Sequence, residues 1–207
     1  MTPTQSAWHE LLEALDQIDR GIRARLEKPA VEDQLREIEL ALTVSLPPEV
    51  HQLYLENNGE SQPITVGMLF GMKFLRLEDI IFHWGELAEL RTSLIFDFEG
   101  EFLDPKMRDF YPSVYHVPLF SDDSGNYLGI DLCPSEEGNA GQVIIFGTDL
   151  DHSQVVFSSL AELFTELTRQ IAADNYTLER EYGHPWMKLK SKTFSAVGQV
   201  LFGGSRF

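Results

Sequence analysis

Between Ser113 and Phe157 the chain carries four short apolar runs, SVYHVPLF, NYLGIDL, GQVIIFGT and SQVVF, and this series constrains the fold more than any other feature. Each reads as a β-strand. In the second, Leu128, Ile130 and Leu132 alternate with Tyr127, Gly129 and Asp131, the pattern of a half-buried antiparallel strand. In the third, Val143 to Phe146 is continuously apolar, as a central strand is. Pro118 lacks the N–H that a ladder needs, so the first run is expected at an edge or at a bulge.

Helical patterns flank this series. Trp8, Leu11, Leu12, Leu15, Ile18, Ile22 and Leu26 fall on one stripe, which Pro29 ends. A second helix is expected from about Val31, through Leu35, Ile38 and Leu42. The stretch VSLPPEVHQLYLENNGE then forms a unit punctuated at both ends. Pro47 and Pro48 suit a first helical turn, where a missing N–H costs nothing. Val50, Leu53 and Tyr54 give the buried face, and Asn57, Asn58 and Gly59 supply residues able to take the left-handed conformation that closes a helix. Ile64–Phe70 and Lys73–Leu77 read as short strands broken by Gly71, followed by a helix from Leu77 to about Leu94. After the strand series, Ser159 and Glu162 form a capping box for a last helix striped by Leu160, Leu163, Phe164, Leu167 and Ile171. Helices, then strands, then helices predict an α+β fold, a central, mostly antiparallel β-sheet with helices packed around it. The expected organisation is an N-terminal helix over 1–30, one domain over 31–185, and a basic tail over 186–207.

Charge narrows the class of partner. The 207 residues hold 16 Lys and Arg against 33 Asp and Glu, a formal net charge of -17. Four of the basic residues (Lys188, Lys190, Lys192 and Arg206) lie after residue 187, so the first 187 residues carry 12 basic and 33 acidic groups, a net of -21. Such a field repels nucleic acid and anionic membranes and steers basic proteins inward. The tail itself is either a free extension or lies against the acidic body. No apolar run approaches the ~20 residues that cross a bilayer. The acidic N-terminus does not start like a signal peptide, and one cysteine leaves no disulfide framework, so a reducing cytoplasm is the expected location.

Catalytic and metal chemistry find little support. The loop Ser121–Asp131 places Asp122, Ser124 and Asn126 at alternating positions, but it lacks the glycine and the twelfth-position glutamate of a calcium loop. It is better explained as hairpin chemistry, with Gly125 taking positive φ. The six histidines (His9, His51, His83, His116, His152 and His184) have no zinc-ligand spacing, and Cys133 has no basic residue near it in the sequence. An enzyme using His116 and His152 with neighbouring carboxylates is the minor alternative. No cofactor or metal is expected.

The order of these pieces resembles the SUKH superfamily. Leu46–Pro47 before the short helix, Asn58–Gly59 after it, Pro118 ahead of Asp122, Asp123 and Gly125, Asp131 at a strand end, Gly141–Val143 and the helix from Ser158 carry the resemblance, over roughly residues 31–172. His116 stands where the family often has Trp. The resemblance implies a non-enzymatic module that binds proteins. One branch holds bacterial immunity proteins that neutralise toxins; the other holds fungal regulators of cell-wall assembly. The first branch, with a basic toxin domain as partner, is the principal expectation, and a regulatory or scaffold protein the alternative. Glu136 and Glu137 are the favoured partner contacts, because turn geometry explains them less readily than it explains Asp122 and Asp123.

Overall fold

A computed structural model describes residues 1–61, 67–69, 71–93, 104–108, 112–148, 150, 153–181 and 183–190. The helices are α1 (Pro3–Ile18), α2 (Arg20–Arg23), α3 (Glu32–Leu42), α4 (Pro48–Tyr54), α5 (Leu77–Ser93) and α6 (Leu160–Ala172). The strands are β1 (Lys73–Phe74), β2 (His116–Ser121), β3 (Asn126–Asp131), β4 (Gln142–Gly147), β5 (Gln154–Phe157), β6 (Tyr176–Glu181) and β7 (His184–Leu189). β1 to β5 form one antiparallel sheet in chain order, and β6 pairs with β7 as a separate hairpin. The α+β class with a central antiparallel sheet is therefore the observed architecture.

Side-chain alternation divides the sheet between two apolar layers. Val117, Phe120, Leu128, Ile130, Val143 and Ile145 join the main core, with Trp8, Leu11 and Leu15 of α1, Val50 and Leu53 of α4, and Leu163 and Phe164 of α6. Trp8 centres that layer, its ring 4.9 Å from Phe164 and 5.6 Å from Phe74. Tyr127, Ile144 and Phe146 face the opposite way, against Leu87 of α5 and Met107. Both faces of β3 are covered, so it is buried almost throughout rather than half-buried as its alternation suggests. The misleading residues are Gly129 and Asp131. A Cβ at Gly129 would lie 2.1 Å from the Val117 carbonyl oxygen, and Asp131 is buried with its carboxylate hydrogen-bonded.

Other expectations are adjusted locally. Pro118 lies at a bulge, but β2 is an interior strand between β1 and β3. The first helical stripe breaks at Asp19, whose backbone is extended (φ -159°) and whose side chain accepts from the Gly21 amide at 2.8 Å, starting α2. A competing side-chain hydrogen bond of this kind interrupts an otherwise continuous helical pattern. Of the expected Ile64–Phe70 strand, 64–66 and 70 lie outside the described residues. The expected Lys73–Leu77 strand shortens to the two residues of β1, because α5 begins at Leu77. The capping box of α6 is half formed: the Glu162 amide donates to Ser159 Oγ, whereas the Glu162 carboxylate accepts from the Ser158 amide (2.7 Å) and hydroxyl (2.6 Å). Those Ser158 bonds hold the Glu162 carboxyl below its usual range.

Candidate interaction surface

The motif after α4 is explained residue by residue. The Tyr54 hydroxyl donates to the Leu75 carbonyl at 2.8 Å, and burial, helped by the Asp79 charge, pushes its pKa well up. Trp8 Nε1 donates to Asn57 Oδ1 at 3.0 Å, while Asn57 Nδ2 donates to the Glu27 carbonyl at 3.2 Å. Asn58 Oδ1 accepts from the Leu77 amide at 3.1 Å, at the first residue of α5. α4 ends at Tyr54, well before Gly59, so Gly59 is not a helix-closing residue as the sequence suggests. Its positive φ (+77°) answers a different need, since a Cβ there would lie 2.5 Å from the Arg76 nitrogen and 2.6 Å from the Leu75 carbonyl carbon.

Glu60, next in line, is fully buried. Its carboxylate accepts from the amides of Phe74 (2.9 Å) and Met68 (3.1 Å) and pairs with Arg25 Nη2 at 2.6 Å. Burial pushes its pKa up, opposed by Arg25, the two amides and Lys73. Arg25 Nη1 donates to the Pro185 carbonyl at 2.8 Å, which ties the β6–β7 hairpin to the same node. Met187 of β7 is buried in the main core, and the residue 185/186 boundary falls inside this strand. Charged, irregular YTLERE and HPWMKL carry no clean two-residue alternation, so periodicity passes over this hairpin.

A second polar row crosses the sheet. His116, Asp131 and Gln142 are paired neighbours on β2, β3 and β4, all buried. Gln142 Nε2 donates to Asp131 Oδ2 at 3.0 Å, the Cys133 amide donates to Asp131 Oδ1 at 2.9 Å, and the His116 ring lies 5.5 Å from that of Phe146. His152, the other histidine of the enzyme alternative, lies outside the described residues. Arg108 Nη1 lies 3.3 Å from Cys133 Sγ, a basic neighbour 25 residues away that local sequence could not supply. Among the described residues no group of three or more His, Cys, Asp or Glu is placed to hold a metal ion. Among them, too, no helix is long and apolar enough to cross a membrane.

The four proposed contact residues separate into two sites. Asp122 belongs to its turn: Oδ1 accepts from the Ser124 amide (2.8 Å) and the Asn126 amide (3.1 Å), and Oδ2 from Asn126 Nδ2 (2.8 Å). Asp123 is exposed and left-handed (φ 57°), followed by Gly125 at φ 95°. Glu136 and Glu137 are exposed beyond the other end of β3. Their turn is braced by Ser135, which accepts from the Glu137 amide and donates to the Pro105 carbonyl. The six residues of β3, at about 3.3 Å each, keep the two acidic turns about 20 Å apart, so they do not form one compact site.

A five-stranded antiparallel sheet clasped by helices, whose signature polar residues are bonded into the scaffold, defines a SUKH-type α+β module. The chain belongs to the SMI1 / KNR4 family (SUKH-1), whose profile matches residues 29–166. It is similar to the cell wall assembly regulator SMI1 of Saccharomyces cerevisiae, at 22% identity over 98% of this chain and 45% of that protein. A KNR4/SMI1 homolog of Yarrowia lipolytica is 24% identical over 94% of this chain and 34% of its own length. The cell wall biosynthesis/cell cycle regulator smi1 of Schizosaccharomyces pombe is 27% identical over 72% of this chain and 33% of its own length. The chain thus spans about a third to a half of these relatives, of which the Saccharomyces cerevisiae and Schizosaccharomyces pombe proteins are named as regulators.

Proposed function

We propose that this chain is a regulatory protein-binding module of the cell-wall-assembly-regulator type. The observation that carries this reading is that the family signature builds the scaffold: Asn58 holds the start of α5 and Gly59 lets the Leu75–Arg76 backbone pass, while the flanking Asn57 and Glu60 tie in further segments. The names of the relatives point the same way. Work is then done by surface contacts with other proteins, and the single cysteine suits a reducing cytoplasm.

The net charge of -17 favours a second reading, an immunity-type protein that neutralises a basic toxin, with Glu136 and Glu137 at the contact and Asp122 and Asp123 in a turn. One experiment separates the two. The chain is used to co-purify partners from its native host, and association rates are measured from low to high salt. A regulator, held by a few local contacts rather than by the whole charge of the chain, associates at rates that fall only modestly with salt. A charge-driven inhibitor associates markedly more slowly as salt rises. Steep salt dependence with a cationic toxin as the captured protein would overturn the regulatory reading.

A further inference from the structure

The outer face of α5 combines three locally unfavourable choices. Phe82 is 62% exposed and Ile81 39% exposed, where an exposed helix position is ordinarily polar. Gly85, one turn beyond Phe82, sits inside the helix, and a Cβ built there would meet nothing within 4 Å. A glycine in a helix interior destabilises it relative to alanine, and among the described residues no neighbouring element requires this one. Glu86 and Glu89 are three residues apart, a like-charge spacing that also works against the helix. Glu78 and Glu86 flank Phe82 at one turn on either side, with side chains 60% and 56% exposed. Neighbouring side chains are engaged locally: Arg76 pairs with Glu78 and Asp79, His83 faces Glu86 at 3.5 Å, and Arg91 donates to the Pro112 carbonyl. Departures from local preference that no contact among the described residues repays are expected at sites of function.

We propose that this face of α5, formed by Glu78, Phe82, Gly85, Glu86 and Glu89, is where a partner protein docks a cationic amphipathic helix. The occupant follows from the chemistry. An apolar side chain of the partner covers Phe82, its backbone or a small residue approaches closely over Gly85, and Lys or Arg residues flanking that apolar stripe meet Glu89 and share Glu78 with Arg76 and Glu86 with His83. The proposal rests on the protein-binding reading above and assigns that reading its surface.

The probe is an amidated 16-residue peptide with Leu at helical spacing and Lys elsewhere, compared with a scrambled peptide of the same composition. The full chain is titrated with each and followed by amide NMR shifts. The expected result is that shifts concentrate over residues 77–93 and that the amphipathic peptide binds at least about tenfold more tightly than the scrambled one. Phe82→Ser and Gly85→Leu each weaken it about tenfold. Gly85→Leu also raises Tm by about 2–4 °C, so its loss of binding is not unfolding. Reversing Glu10 and Glu13 to Lys on α1 changes affinity about twofold at most. Shifts spread over several acidic faces, equal binding of the scrambled peptide, or no binding would each overturn the proposal. Capture of native partners serves as a separate arm. Equal capture by wild type and Phe82→Ser leaves the protein-binding reading standing and removes this face. Capture by neither counts against that reading, and the peptide titration then decides the face alone.

Discussion

Gly59 shows how one residue can be conspicuous in a sequence for a reason the sequence misstates. Asn-Asn-Gly after a short helix reads as a helix stop, yet α4 has already ended, and Gly59 is required because the backbone of Leu75 and Arg76 passes against it. Gly59→Val is expected to cost about 3 kcal/mol, from left-handed backbone strain and backbone overlap together. Urea denaturation checks this, and a loss no larger than that of an exposed control would contradict the packing described. Arg25 and Glu60 were invisible as a pair, because 35 positions separate them and nothing local marks either as buried. Arg25→Met leaves an unpaired buried carboxylate and is expected to cost about 3–5 kcal/mol near neutral pH. Burial already pushes the Glu60 pKa up, and removing Arg25 removes an opposing influence. A carboxyl whose folded pKa is raised contributes most below its unfolded pKa, and the contribution is lost as pH rises through the folded value. The stability gap between Arg25→Met and wild type therefore narrows on acidification into the carboxylate range and widens towards neutrality. A gap that stays constant or grows as pH falls would show that Glu60 is not the group left exposed to the penalty.

At the scale of elements, strong periodicity was legible and covered surfaces were not. α1, α3 and α6 follow their apolar stripes, and β2 to β5 fall where the four short runs predict them. What failed depended on contacts distant in sequence: the second covered face of β3, and the β6–β7 hairpin, anchored by Met187 and by Arg25 rather than by its own pattern, whereas the bulge at Pro118 was legible. The two acidic turns divide in the same way. Asp122 accepts three hydrogen bonds that close the β2–β3 turn, so Asp122→Ala is expected to cost about 1 kcal/mol by thermal or urea denaturation. Glu136 and Glu137 are exposed, so reversing both to Lys should change stability by less than about 0.5 kcal/mol. If the charge-driven reading holds, the same double variant slows association with a basic partner. Unchanged association kinetics would remove this turn from the interface.

For the molecule as a whole, family membership was readable from the order of motifs, and partner choice was not, because most motif residues, such as Leu46, Gly59, Asp131 and Gln142, are buried and Asp122 is bonded into its own turn. Leu46, Asn58 and Gly59, with Asp131, Gln142 and Val143, specify how helices and strands meet. The acidic total of -17 is a property of the sum and does not by itself select a surface. The central claim is therefore a division of labour between an inward signature and an outward binding surface. It is tested most directly by measuring the Kd of a partner co-purified from the native host for wild type and for Asn58→Ala, at a temperature where both remain folded. Asn58 ties the stretch after α4 to the first residue of α5 through the Leu77 amide, so a lowered Tm with Kd unchanged within about twofold is expected. A Kd weakened tenfold or more in the fully folded variant would contradict it, by placing the family signature in the binding site itself.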